Sequence, residues 1–333
     1  MLKVGIIGTG GMGTRHISNI QNHTSAHVIA VMDVDRERGQ AAAEIAGKCK
    51  VYTNSEALIT DPSVEAVVIA SPDPFHAEAA LGCIAAGKPT LCEKPLAMTL
   101  EDAKMVFDEE VAGGKRLMQL GFMREYDPAH RAVKEVVERG DLGDVVLFRG
   151  IHTGYALPKV RTVEDVIINS SVHDIHSARW LLQDEVEQVY VQRVVSDPKR
   201  PDTCRMLVTQ LTFKNGSLGI LEVNAEAPFG YQVDVELTGS KASVRTPRAF
   251  WPTIFTAGKE WQGIDDDWLM RFSLAYIYEV QAWVQSVIDG KPTGPSTWDG
   301  YAAMMVADAC VESFKTGLPQ TVPDLKRPAL YEL

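Results

Sequence analysis

The chain has 333 residues, 45% of them hydrophobic and 23% charged, the composition of a globular protein and the length of about two domains. Lys and Arg number 33 against 44 Asp and Glu, and the net charge of −11 leaves no basic stripe for nucleic acid, which is therefore excluded as an expected partner. Cys49, Cys83, Cys92, Cys204 and Cys310 show no CxxC spacing and read as reduced, mostly buried thiols, and no apolar run reaches the roughly 18 residues of a membrane helix.

MLKVGIIG runs directly into a strand and a glycine loop, with no charged region, apolar stretch and cleavage site ahead of them, so no leader is expected and the cytoplasm is the expected location. Strand candidates Lys3–Ile7, His27–Met32, 66–70, 89–92 and 116–120 alternate with helical patterns, the signal for βαβ units and a parallel sheet. Their continuous apolar runs, such as AVVIA, imply burial on both faces. Residues 77–86 carry helix formers and stop at Gly87, as a helix C-terminus prefers.

Gly8-Thr9-Gly10-Gly11-Met12-Gly13 has GxGxxG spacing between the first strand and a helical pattern. In that context Gly8 permits the tight turn, Gly10 lets backbone approach a pyrophosphate, and Gly13 lets helix and strand pack closely. Asp33 follows Gly13 by 20 residues at the end of the second strand, where a carboxylate accepts hydrogen bonds from adenosine ribose hydroxyls and repels the extra phosphate of NADP. NAD is the expected cofactor, with dual use left open by the nearby Arg36. Gly8, Thr9, Gly10, Met12, Gly13 and Asp33 are the expected cofactor-binding set.

The pattern changes after Gly121. Asp127, Pro128 and Gly140 bracket one helix with cap, first-turn proline and terminating glycine. From 144 to 245 the runs DVVLFRGIH, EQVYVQRVV, CRMLVTQLTF, SLGILEVNA and YQVDVELTG read as strands of an open, largely antiparallel sheet, interrupted by a helix at 173–182. Two helices, about 267–288 and 298–315, close the chain. The fold expected is α/β: a Rossmann doubly wound parallel sheet at 1–121, then an α+β domain at 122–333 that binds substrate and oligomerises, its last helices free to pack back on the first domain.

The strand at 89–92 delivers Glu93-Lys94-Pro95 to the carboxyl end of a parallel sheet, where open α/β sheets bind ligands. With GTGGMG, this EKP, GFMREYDPAH, VHDIHSARWLL, AYIYEVQAWVQSV and GPSTWDGYAA, the chain resembles the glucose-fructose oxidoreductase and inositol dehydrogenase (Gfo/Idh/MocA) family over nearly its whole length, nearest to its inositol dehydrogenases. The resemblance implies that Lys94 hydrogen-bonds the reacting hydroxyl and that His173 takes its proton while hydride leaves the same carbon for the nicotinamide. It also implies that Ser71, His76, Glu93 and Met123 lie beside the cofactor and that Arg124, His152, Tyr231 and Tyr276 line a polyol pocket. For the two tyrosines, core packing is an equal reading.

One position departs from the family pattern. Asn169 stands four residues before His173 where the family's inositol dehydrogenases carry Asp, so it enters the catalytic set without charge and leaves His173 a weaker base. Asp174 is adjacent, but neighbours on a helix point in different directions and it is not expected to substitute. His173, Asp174 and His176 lack the i, i+4 pair and third ligand of a zinc helix, so no metal is expected. The resemblance implies an NAD-dependent dehydrogenase of an inositol or related polyol. An aldose, anhydrosugar or amino sugar is the alternative substrate class, and a non-catalytic NAD sensor the alternative of another kind. A homo-oligomer, dimer or tetramer, is the expected assembly.

Overall fold

The computed structural model describes residues 1–154, 160–247, 252–324 and 326–332. In chain order the strands are β1 (Lys3–Ile7), β2 (His27–Met32), β3 (Lys50–Tyr52), β4 (Ala66–Ile69), β5 (Thr90–Cys92), β6 (Met118–Leu120), β7 (Val145–Thr153), β8 (Val186–Val194), β9 (Met206–Phe213), β10 (Leu218–Asn224), β11 (Gln232–Gly239), β12 (Ser243–Arg245), β13 (Thr253–Thr256), β14 (Lys259–Gln262) and β15 (Gln320–Thr321). The chain divides into two compact units. The first comprises Met1–Met123, Ala275–Met304 and Leu325–Leu333; the second comprises Arg124–Leu274 and Met305–Asp324.

The first unit holds a six-stranded sheet in the order β3-β2-β1-β4-β5-β6, parallel throughout. This is the doubly wound order whose ligand crevice opens at the carboxyl ends of the strands, beside the point where strand order reverses. Val4, Ile6, Val28, Val31, Val68 and Leu91 are buried, as continuous apolar runs require. Ile17 and Ile20 of the helix Gly11–His23 cover them, and so do Val280, Trp283 and Val284 of the helix Ser273–Asp289. Strand β3 is an addition to the sequence reading. Three residues are too few to show an alternating pattern.

The second unit holds a seven-stranded sheet in the order β12-β11-β7-β10-β9-β8-β15, antiparallel except between β7 and β10. Strands β9 to β11 bury alternate residues, so one face carries the core. The helix Pro128–Glu138 begins as its sequence dictates: Asp127 accepts from the His130 N–H and Pro128 occupies the first turn. The segment leading to His173 is more elaborate than one helix. A short helix, Val163–Val166, passes through a π-turn, Ile167–Ser171, into the helix Val172–Leu182.

The helix expected at 267–288 is two, Trp268–Arg271 and Ser273–Asp289, broken at the fully buried Phe272. All five cysteines are free thiols, four of them buried. No helix among the described residues is long and apolar enough to cross a membrane.

Candidate active site

In the first unit the glycine loop joins β1 to the helix Gly11–His23. Gly8 has φ +87°, and a Cβ there would lie 2.5 Å from the Ala70 oxygen and the Ser71 nitrogen. A Cβ on Gly13 would run into the Gly8 carbonyl oxygen, so this glycine is what lets helix and loop close together. A Cβ on Gly10 would meet nothing within 4 Å, so the protein's own packing does not demand glycine there. Approach by a ligand is the remaining physical reason, and it is the one expected of a loop whose amides cradle a pyrophosphate.

Asp33, buried at the end of β2, accepts from the Thr9 N–H at 3.0 Å and the Thr9 hydroxyl at 2.7 Å. It also accepts from the Asp35 N–H at 2.9 Å and from Arg38, Nε at 2.9 Å and an Nη at 2.6 Å. Burial raises the carboxyl's pKa, but the Arg38 and Thr9 hydrogen bonds outweigh it and hold the group far below the ordinary carboxylate range. The site therefore presents a fixed anion, the acceptor chemistry a ribose diol needs. The guanidinium on it belongs to Arg38 rather than Arg36, because the first helical turn brings back the residue five positions on.

Lys94 leaves β5 at its carboxyl end, and its neighbours brace the turn that carries it. The Glu93 carboxylate lies 2.7 Å from Nε2 of His16, on the helix that the glycine loop opens. The His76 ring is held between two backbone oxygens, that of Pro95 at 2.7 Å and that of Ser71 at 2.9 Å. Glu93 and His76, expected beside the cofactor, thus tie the EKP turn to the glycine-loop helix and to the segment after β4. Met123 is buried, and Tyr276 sets its ring edge-on to His16, with the Arg15 guanidinium 5.8 Å from its centroid. In these contacts Tyr276 is a packing residue of the first unit.

In the second unit the structure brings Arg124, His152 and Tyr231 together, and adds Asp174. Arg124 and Asp174, only 1% and 2% exposed, meet at 2.5 Å, and the other Asp174 oxygen lies 2.8 Å from His152 Nδ1. His152 Nε2 faces the Tyr231 hydroxyl at 3.4 Å. Burial, with Arg124 and Arg161 nearby, lowers the His152 pKa despite Asp174, so the ring is neutral at neutral pH. A neutral ring facing a carboxylate carries its proton on Nδ1, which leaves Nε2 to accept from Tyr231.

Burial also keeps the Tyr231 proton on, while Asp174, raised by burial but lowered further by Arg124 and His152, sits at about 2. The result is an oriented line, Tyr231 to His152 to Asp174, beside a buried guanidinium. Phe272 extends it, with its ring 5.9 Å from the Arg124 guanidinium and 4.6 Å from that of Arg271. Arg271 in turn makes two hydrogen bonds to Asp127, the helix cap.

His173 is buried one residue before Asp174, whose carboxylate is committed to Arg124 and His152. Asn169 lies in the π-turn and donates to Asp165 at 2.8 Å. His176 pairs with Glu125 at 2.8 Å. Sequence reasoning missed His16, Arg38, Asp165 and Arg271 because their only signal is a partner distant in the chain or a turn away on a helix.

A parallel sheet in this order, with a tight glycine loop and a fixed anion at the end of β2, defines a dinucleotide-binding fold, and similarity to known proteins places it among NAD-binding oxidoreductases. Residues 2–121 match the oxidoreductase family with an NAD-binding Rossmann fold, and residues 130–245 match the GFO/IDH/MocA C-terminal domain. The chain belongs to the GFO/IDH/MocA oxidoreductase family. It is 43% identical to an inositol 2-dehydrogenase of Rubrobacter xylanophilus, across 99% of this chain and 96% of the other. It is 37% identical to inositol 2-dehydrogenase 1 of Saccharopolyspora erythraea, across 99% of both. A crystal structure of myo-inositol dehydrogenase from Lactobacillus casei, in complex with NAD(H) and myo-inositol, superposes with a TM-score of 0.95 at 32% identity, covering all of both chains.

Proposed function

We propose that this chain oxidises one secondary hydroxyl of an inositol or related cyclic polyol to a ketone, using NAD. The observation that carries the reading is full-length similarity, at 43% identity, to an inositol 2-dehydrogenase. Residues 1–121 serve as the NAD-binding domain, with the helix Ser273–Asp289 packed back on it, and the remainder of 122–333 as the substrate-binding and oligomerisation domain, in a cytoplasmic homo-oligomer that acts on a small molecule.

Bound NAD supplies the hydride acceptor, and Gly8, Thr9, Gly10, Met12, Gly13 and Asp33 hold it, with Ser71 and Met123 alongside. Lys94 hydrogen-bonds the reacting hydroxyl and His173 takes its proton, since a carbinol becomes a carbonyl only when proton and hydride leave the same H–O–C–H unit. Lys94 is kept in place by the braced turn, through Glu93 on His16 and His76 on Pro95. Arg124, His152 and Tyr231 meet further hydroxyls, because stripping water from a polyol is favourable only when each hydroxyl finds a partner. Their mutual hydrogen bonds pre-orient them for that role.

A second reading, an aldose, anhydrosugar or amino sugar as substrate, is favoured by Asn169, since a neutral amide there alters the reacting end of the pocket. Formation of NADH from NAD with myo-, scyllo- and chiro-inositol, glucose, xylose and an anhydrosugar decides between them. Turnover of an inositol that is lost in Lys94→Ala is the expected result; turnover of pyranoses alone moves the substrate, and NAD binding without any turnover makes the chain a sensor.

A further inference from the structure

Arg161, Asp165, Asn169 and His173 recur at intervals of four along the segment that enters the helix Val172–Leu182. Hydrogen bonds link the first three. Arg161 Nε donates to Asp165 Oδ2 at 2.6 Å and an Nη of Arg161 donates to the Asp165 backbone oxygen at 3.0 Å. The other Nη reaches the Ser170 hydroxyl at 2.9 Å, so the guanidinium clamps both ends of the turn. Asn169 Nδ2 donates to the remaining Asp165 oxygen, Oδ1, at 2.8 Å. The π-turn Ile167–Ser171 lies inside this clamp, and such turns concentrate at functional positions.

The chemistry of the 165–169 contact fixes a direction. A carboxylate only accepts, so the amide nitrogen of Asn169 must face Asp165 and the amide oxygen must face away. A hydrogen bond from the NH2 group to an anion also polarises the amide and strengthens its carbonyl as an acceptor. The clamp makes Asn169 an oriented acceptor without giving it charge.

We propose that Asp165 is a positioning residue for the reaction: by holding the amide nitrogen of Asn169 it sets that side chain to accept a hydrogen bond from a substrate hydroxyl, one turn ahead of His173. This rests on the reading of His173 and Asn169 as the reacting end of a polyol site. It also states a preference in the substrate. A hydroxyl, which can donate, is accepted at that place, while an ether or keto oxygen, which can only accept, is rejected.

The test compares wild type, Asp165→Ala, Asn169→Asp and the exchanged pair Asp165→Asn/Asn169→Asp by steady-state kinetics, with NAD affinity by calorimetry and thermal melts as controls. Asp165→Ala lowers kcat/KM for the substrate about tenfold, the scale of one oriented hydrogen bond, and leaves NAD affinity unchanged. Asn169→Asp alone sets two carboxylates against each other and loses as much or more. In the exchanged pair an amide at 165 donates to a carboxylate at 169, so the oriented acceptor returns and kcat/KM recovers well above that of Asn169→Asp.

Asp165→Ala retaining wild-type kcat/KM, or a folded exchanged pair no more active than Asn169→Asp, overturns the proposal. Should Asp165→Ala fail to fold, the exchanged pair against Asn169→Asp decides by itself. All variants are assayed on whichever compound the wild type oxidises fastest. Turnover of a pyranose in place of an inositol therefore overturns the inositol reading while this comparison is still made on that sugar.

Discussion

Two of the polar residues singled out beyond Gly121, Arg124 and His152, meet in one buried network because a single carboxylate holds both. Asp174 accepts from Arg124 with one oxygen and from His152 with the other, and neither charge has water to fall back on. Removing one partner of a buried ion pair costs about 3–5 kcal/mol, since the other is left uncompensated. The network also makes stability depend on pH. His152 has a folded pKa below its ordinary 6.5, so as pH falls past 6.5 the unfolded chain takes up a proton that the folded chain refuses, and stability declines until the folded ring itself titrates. His130, buried beside Asp127, acts in the same direction. Asp174 adds a second decline at lower pH, from near 4 toward 2, as its depressed carboxyl is finally protonated.

Melting temperature recorded from pH 8 to pH 5 should therefore fall on the acid side, and His152→Gln should flatten that slope. An unchanged slope in the variant would mean that the ring takes up its proton at the same pH in the folded and unfolded chains. None of this was legible beforehand. The sequence marked Arg124 and His152 by resemblance, but Asp174 lies 50 residues from Arg124 and 22 from His152, and only the folded chain shows that it joins them.

At the scale of the element, the glycine loop separates two kinds of glycine that the motif treats alike. Gly13 is required by the fold, since a methyl group there meets the Gly8 carbonyl, whereas one on Gly10 meets no protein atom within 4 Å. Gly13→Ala should destabilise the protein by about 2 kcal/mol or more, the scale of overpacking against rigid backbone. Gly10→Ala should melt close to wild type and instead lose the upward shift that NAD gives the wild-type protein. Thermal melts of both variants with and without NAD check this; a Gly10→Ala protein stabilised by NAD like the wild type would remove the ligand as the reason for that glycine.

Elements of this kind, strand then loop then helix then acid, were readable because their signals are local and short. The elements that were not readable failed for physical reasons. β3 has only three residues, and the break at Phe272 arises where tertiary burial of that ring and the Arg271 to Asp127 pairing override a continuous helical pattern. The π-turn before His173 likewise leaves no periodic signature.

For the whole molecule, apolar periodicity tells which face of an element is buried but not what covers it. The first unit's core depends on residues more than 150 positions away. Val280, Trp283 and Val284 pack with Val4, Ile6, Val28 and Val68, and the edge strand β6 gives its Leu120 N–H to the Pro295 oxygen at 2.9 Å. Arg116 reaches the Thr293 oxygen at 3.0 Å, and the Tyr331 hydroxyl donates to the buried Glu110 at 2.7 Å. A fragment ending at Met123 contains every strand of the sheet and the whole glycine loop, yet it would expose the apolar floor that Trp283 covers. Losing that one side chain alone is worth about 3–5 kcal/mol, a large share of the stability of an ordinary domain.

The fragment 1–123 should therefore bind a hydrophobic dye, give weak near-ultraviolet circular dichroism and show no cooperative melt, and adding the 275–333 segment in trans should restore order. A cooperative melt of the isolated fragment, shifted upward by NAD, would show that the Rossmann sheet is self-sufficient and that the returning segments only decorate it.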